Sequence, residues 1–178
     1  HCSESEFKMS DATEATLINN LLHNFPMKGK VEWIGVRPGR REAVSVIEFV
    51  TVCSEKGLIG DHFNGRPGAK RMVTLIQQEH IAVVEAILRK DSIDPALLRR
   101  NIVVSGINLL ALKSQRFMIG TAVFEGTGPC PPCSRMEENL GPGGYNAMRG
   151  HGGLNATVIE SGTFRAGDTL EVVHQQSG

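Results

Sequence analysis

No apolar run in these 178 residues approaches the roughly 20 that a membrane-spanning helix needs. Neither sign of charge is in surplus, with Lys+Arg 19 against Asp+Glu 19. That balance excludes a general attraction to nucleic acid or to an acidic membrane surface, so any charged ligand must be held by a local cluster. The N-terminus lacks the basic-then-apolar layout of a secretory signal, which makes a cytoplasmic location the expectation. A disulfide framework is missing as well. Cys2 lies in a polar tail, Cys53 ends an apolar run, and only Cys130 and Cys133 are close in sequence. In a reducing compartment this leaves metal binding or thiol chemistry for the pair. No internal repeat or low-complexity segment interrupts the chain, whose length and 40% hydrophobic share suit one core and are short for two.

The organisation follows from periodicity and turn residues. Residues 1–27 read as an N-terminal tail, an expression remnant or irregular arm over His1 to Lys8, followed by a short helix. Asp11-x-x-Glu14 forms a capping box ahead of Leu17, Ile18, Leu21 and Leu22, so the helix is expected to start there and to cover the domain or a partner. Residues 28–174 read as one domain. Strands are expected at Val31 to Val36, Val44 to Val52, Arg71 to Ile76, Ile102 to Val104, Arg116 to Met118, Thr121 to Glu125, Ala156 to Ile159 and Thr169 to Val173. Helices are expected over Gln78 to Arg89 and from Pro95, while Gly57 to Gly68 is too rich in Gly and Pro for either element. Many short strands with few inserted helices predict a mainly β (α+β) fold, a closed or nearly closed barrel.

Three constellations carry chemistry. In Gly126-Thr-Gly-Pro-Cys130-Pro-Pro-Cys133-Ser-Arg135 the chain leaves a strand through a stiff turn that presents two thiols with little backbone freedom. A helix starting after Pro132 would place Cys133 near its positive end, and Arg135 adds a cation; both favour a thiolate. Cys133 is thus the candidate metal ligand or nucleophile, with Cys130 its companion. The blander reading is a pair of small buried residues at a barrel corner. A zinc ribbon lacks a second Cys/His pair, and a thioredoxin-type centre lacks its βαβ setting. In Leu98-Arg99-Arg100-Asn101 the guanidinium forks match the oxygens of phosphate or carboxylate, and Asn101 offers a donor and an acceptor. A solvated helix end explains the same residues. Weaker signals are Asp61-His62, Lys70-Arg71 and the glycine-flanked His151, where a hydrogen-bonded structural histidine competes with a catalytic one.

Read in order, Gly57-Leu-Ile-Gly60-Asp61, Arg71-Met-Val-Thr-Leu-Ile76, Leu98-Arg99-Arg100-Asn101-Ile102-Val-Val, Ile119-Gly120, Cys130-Pro-Pro-Cys133 and Ser161-Gly162-Thr163-Phe-Arg-Ala-Gly167-Asp168 resemble the MOSC domain family over about Lys28 to Val173. This is the C-terminal domain of molybdenum-cofactor sulfurases, and it also exists as small stand-alone bacterial proteins. The resemblance implies a β-barrel whose cysteine, here Cys133, ligates molybdenum or carries sulfur destined for it. It further implies that Arg99 and Asn101 contact the pterin of the molybdenum cofactor (molybdopterin). Arg71, Arg135, Asp61 and His151 complete the cofactor-binding candidates. The chain departs from many small relatives in having Asn64-Gly65-Arg66 where they carry His-Gly-Gly.

Two activities are compatible with that resemblance. One is an oxidoreductase that reduces N-hydroxylated small molecules with electrons from a separate flavin or iron–sulfur protein. The other is a sulfur carrier or sulfur transferase in which Cys133 holds a persulfide supplied by a sulfur-donor protein and Cys130 resolves it. Pyridoxal phosphate, if used, belongs to such a partner. No nucleic acid or membrane partner is expected, and an oligomer is compatible with the sequence.

Overall fold

The computed structural model describes the backbone of residues 4–174 and the side chains of residues 13–174. Two compact units result, one reaching Pro26 and the other spanning Met27–Val173.

In the first unit helix α1 spans Glu4–Leu22, so it begins at Glu4 and not at Asp11. The stretch before Asp11 contains no glycine or proline to stop a helix, and Glu, Lys and Met are good helix formers. The Asp11-x-x-Glu14 pattern therefore lies inside the helix. Leu17, Ile18, Leu21 and Leu22 are exposed on it.

The second unit runs β1 (Gly29–Val36), β2 (Ser45–Val46), β3 (Phe49–Cys53), β4 (Gly57–Leu58), β5 (Val73–Gln77), α2 (Gln78–Leu88), β6 (Ile102–Ser105), β7 (Arg116–Ile119), β8 (Ala122–Pro129), α3 (Arg135–Leu140), α4 (Gly144–Met148), β9 (Leu154–Glu160), β10 (Gly162–Arg165) and β11 (Thr169–Val172). Short 3-10 turns lie at Pro95–Leu98 and Leu109–Leu112. Seven strands close a barrel in the order β1-β6-β5-β9-β8-β7-β11, and the Gly29↔Leu170 and Lys30↔Thr169 pairs return it to β1. The mainly β barrel expected from the sequence is therefore what the chain forms. A smaller sheet, β10-β3-β4, stands beside it. The single strand expected over Val44 to Val52 is two: β2 pairs with β1 and β3 with β10 and β4, so the chain must break at Ile47 to change sheets.

One pair in the barrel is parallel. β5 and β6 run in the same direction, a geometry that no hairpin can connect. The crossover is α2 and the 3-10 turn at Pro95–Leu98, a βαβ unit set into an otherwise antiparallel barrel. Its consequence is visible in burial: all five residues of β5 are buried, since one face meets the barrel interior and the other lies under the helical layer. That layer packs Ile81 and Val84 of α2, Met136 and Leu140 of α3, and Ala147 and Met148 of α4 over Ile76, Leu98 and Val103. On the barrel's other side Phe124 stacks on Phe117 and meets Phe164 edge-on. Each of these fully buried rings contributes about 1.5–3 kcal/mol through burial. Among the described residues no helix is long and apolar enough to cross a membrane.

Candidate functional site

Because β1 is antiparallel to β6 while β5 is parallel to it, the C-terminal end of β1 and the N-terminal ends of β5 and β6 meet at one end of the barrel. A cavity of about 210 Å³ opens there. Each element brings a guanidinium group to it: Arg37 follows β1, Arg71 precedes β5, and Arg99 and Arg100 precede β6. Against these four cations the lining offers one carboxylate, Asp61, beside His62. Asp61 is already engaged, accepting from the Arg37 amide at 2.9 Å, while the His62 amide donates to the Arg37 carbonyl at 2.6 Å. These two bonds stitch the Gly-rich loop to the end of β1. Arg37 Nε is buried with no hydrogen-bond partner. A buried unpaired guanidinium N–H is costly, and an anionic oxygen in the cavity would satisfy it.

Arg99 and Asn101 both line the cavity yet are held differently. Arg99 closes the 3-10 turn in the left-handed conformation, φ 60°, and is half-buried. Asn101 is buried, and most of its side-chain capacity is used internally. Its Oδ1 accepts from the Thr74 amide at 3.0 Å and the Thr74 hydroxyl at 3.2 Å, and its Nδ2 donates to the Gly35 carbonyl at 3.2 Å. Asn101 thereby joins β5, β6 and β1 at the cavity's edge. One Nδ2 proton remains for a ligand.

The structure brings Asp61, Arg71, Arg99 and Asn101 to one cavity; Cys130, Cys133, Arg135 and His151 are not among its lining residues. Cys133 is exposed and Cys130 buried, and both are free thiols. Arg135 is the first residue of α3 and half-buried, and the short helix after Pro132 does form. His151 is half-buried, donates from Nδ1 to the Ala147 carbonyl at 3.0 Å, and meets His80 edge-on at 5.2 Å between ring centroids. Burial pushes the His80 imidazole below its ordinary value, His151 adds in the same direction, and Glu79 opposes both.

The connection between the cavity and the cysteines is Arg100. Its guanidinium is buried and donates from Nε to the Gly152 carbonyl at 2.8 Å, from Nη1 to the Leu98 carbonyl at 3.2 Å, and from Nη2 to the Pro131 carbonyl at 3.2 Å. Burial lowers its basicity; the neighbouring Cys130 opposes that, Arg71 reinforces it, and Cys133 opposes it. The two thiols and Arg71 are thus all within electrostatic reach of one side chain. Gly152 and Gly153 make the approach possible, because a Cβ at either would run into the Cys130 or the Leu75 carbonyl. Sequence reasoning did not single out Arg37, whose only signal is its place between a strand and Pro38. It read Arg100 together with Arg99 as a guanidinium fork for an anion, and not as a buried tie to the cysteine loop.

The fold is a small closed β-barrel with a cationic cavity at one end, and Arg100, which lines that cavity, bonds to the loop that carries the exposed Cys133. The MOSC domain family model matches residues 60–171, more than half of the chain, and the chain belongs to that family. Among solved structures it is similar to the YuaD protein from Bacillus subtilis, with 19% identity, a TM-score of 0.72, and coverage of 84% of this chain and 97% of that one. It is also similar to YiiM from Geobacillus stearothermophilus, at 17% identity and TM-score 0.68 over 86% of this chain and 78% of that one. YiiM from Escherichia coli matches at 21% identity and TM-score 0.64, over 86% and 73%. At these identities the likeness speaks for the fold. No curated protein matches the chain.

Proposed function

We propose that this chain binds the molybdenum cofactor at the arginine-lined end of the barrel, with Cys133 as the thiolate partner of the metal, and acts in the reduction of N-hydroxylated compounds with an external electron donor. The observation that carries the reading is the orphaned, buried Nε of Arg37 in a cavity with four guanidinium groups and one committed carboxylate. Such a donor set fits the phosphate and polar edge of a pterin, and a thiolate is a ligand molybdenum favours. Arg37, Arg71 and Arg99 would hold the anionic part, and Asn101 would offer its remaining N–H. When bound, the group supplies two-electron redox chemistry, while the protein contributes orientation and charge.

A sulfur-carrier reading is favoured by one different observation: Cys133 is exposed, as a sulfur that must be handed to another protein needs to be, while Cys130 lies buried three residues away. Metal analysis of protein produced under molybdate-replete conditions separates the two. Stoichiometric molybdenum, lost in Cys133→Ser, supports cofactor binding. A persulfide mass on the Cys133 peptide with no molybdenum supports the carrier and removes the oxidoreductase reading.

A further inference from the structure

The Cys130–Cys133 loop has few means of holding itself. Pro131 and Pro132 have no N–H, so half of the loop's backbone cannot donate. Among the described residues, the bonds that hold residues 130–133 are the Cys130 amide to the Gly153 carbonyl at 2.8 Å, the Cys133 carbonyl to the Met136 amide at 3.0 Å, and Arg100 Nη2 to the Pro131 carbonyl at 3.2 Å. The last is the one side-chain tie, and it comes from a residue that also lines the arginine cavity.

Arg100 is an expensive choice for that position if packing were all that mattered. It is 2% exposed and has no carboxylate partner; its three bonds go to neutral carbonyls. Burying an unpaired guanidinium costs several kcal/mol, and an apolar side chain of similar volume would avoid the cost. Two of its five N–H protons remain after the three carbonyl bonds, one on each Nη. The three carbonyls leave the charge uncompensated, and the cavity that Arg100 lines is where a compensating anion fits.

We infer that Arg100 is the positioning residue of the site: it holds the Cys130–Cys133 loop against the arginine cavity, so that an anion bound in the cavity tightens the loop that carries the exposed thiol. The inference rests on the reading that cavity and thiol form one site. An anion compensates the buried charge, stabilises the closed arrangement in which Arg100 holds the Pro131 carbonyl, and makes opening of the loop rarer. Cys130 reports that opening, since it is buried and reacts only when the loop lifts, whereas Cys133 reacts at once.

The experiment is native-state alkylation of the full chain with iodoacetamide, read by peptide mass mapping. Inorganic phosphate serves as the anion probe, against chloride at equal ionic strength. Saturating phosphate should slow Cys130 labelling in the wild type by about tenfold. Arg100→Lys keeps the charge and loses the fork; it should label at Cys130 about tenfold or more faster, and phosphate should no longer slow it. A purely structural arginine would give faster labelling with the phosphate effect retained, because Arg37, Arg71 and Arg99 still face the cavity; that result overturns the inference. So does a wild type whose Cys130 labelling ignores phosphate, and this measurement stands even if Arg100→Lys fails to fold. Phosphate protection in a protein that retains no molybdenum removes the cofactor reading and leaves the positioning role in place. Molybdenum retention without phosphate protection does the reverse.

Discussion

The wall of the cavity and the cysteine loop are both one end of a barrel strand, yet they are built by opposite means. At the wall, Asn101, Thr74 and Gly35 exchange four side-chain hydrogen bonds across β5, β6 and β1, all of them buried. In the loop, prolines remove the donors, Cys133 is exposed, and one guanidinium supplies the side-chain anchor. The polar groups at the wall are therefore part of the fold, and those in the loop are nearly independent of it. The difference teaches that substitutions on the two sides should fail in different currencies, stability at the wall and chemistry in the loop.

Asn101→Ala tests the wall most severely. It leaves the buried Thr74 amide without its Asn101 Oδ1 partner and the Gly35 carbonyl without its Nδ2 donor, so a loss of about 2–4 kcal/mol is expected in denaturant unfolding. A loss below about 0.5 kcal/mol would show that Asn101 serves a ligand and not the barrel.

The two cysteines sharpen the contrast next. Cys130→Ser places a hydroxyl in a buried site and should cost about 1–3 kcal/mol while leaving a substantial part of molybdenum retention or persulfide formation. Cys133→Ser, at an exposed position, should stay within about 0.5 kcal/mol of the wild type and abolish either property. Thermal melts with metal analysis and intact mass read both. Should Cys133→Ser keep full molybdenum and Cys130→Ser lose it, the roles are exchanged.

Arg99 lies on the boundary between the two regimes. Its φ of 60° is the left-handed region that costs a non-glycine residue about 1 kcal/mol. Arg99→Gly should therefore raise stability by about 0.5–1 kcal/mol while weakening phosphate binding in the cavity. Stability that falls, with phosphate binding unchanged, would make Arg99 a capping residue alone.

How far the sequence reached follows the same division. Strand alternation and turn residues foretold the barrel, because burial pattern is local: β3 alternates exposed and buried along Phe49 to Val52, and β8 alternates buried and half-buried positions. The cysteine loop was legible for a similar reason, since prolines and thiols announce themselves within eight residues. The break at Ile47 was not, because apolar β-rich residues continue through it and only the choice of sheet divides them. Nor was the place of Arg37 beside Arg71 and Arg99, two residues that the family resemblance had already grouped. Their convergence depends on the parallel β5–β6 crossover, a non-local fact that no window of residues contains. Arg100 was hidden by its neighbours: nothing in the run Arg99-Arg100-Asn101 marks which of the two arginines is buried.

The smallest expected effects concern acid. Two groups near the loop have depressed basicity for different reasons. Burial, then His151, lower His80, and the amides of Tyr145 and then Gly143 lower the Glu137 carboxyl, which accepts from them at 2.8 and 2.7 Å. In both cases the unfolded chain takes up the proton first, so each group's contribution is fully present above its unfolded value and fades as pH falls. The windows are separate: His80 acts from about pH 6.5 downward, and Glu137 from about pH 4.5 downward. The melting temperature should thus fall in two small steps on acidification. His151→Gln removes the neighbouring ring and should move the NMR titration of His80 upward, flattening the first step and leaving the second. A His80 titration that ignores the substitution would leave burial as the sole cause of its shift and separate the histidine pair from the loop that follows α4.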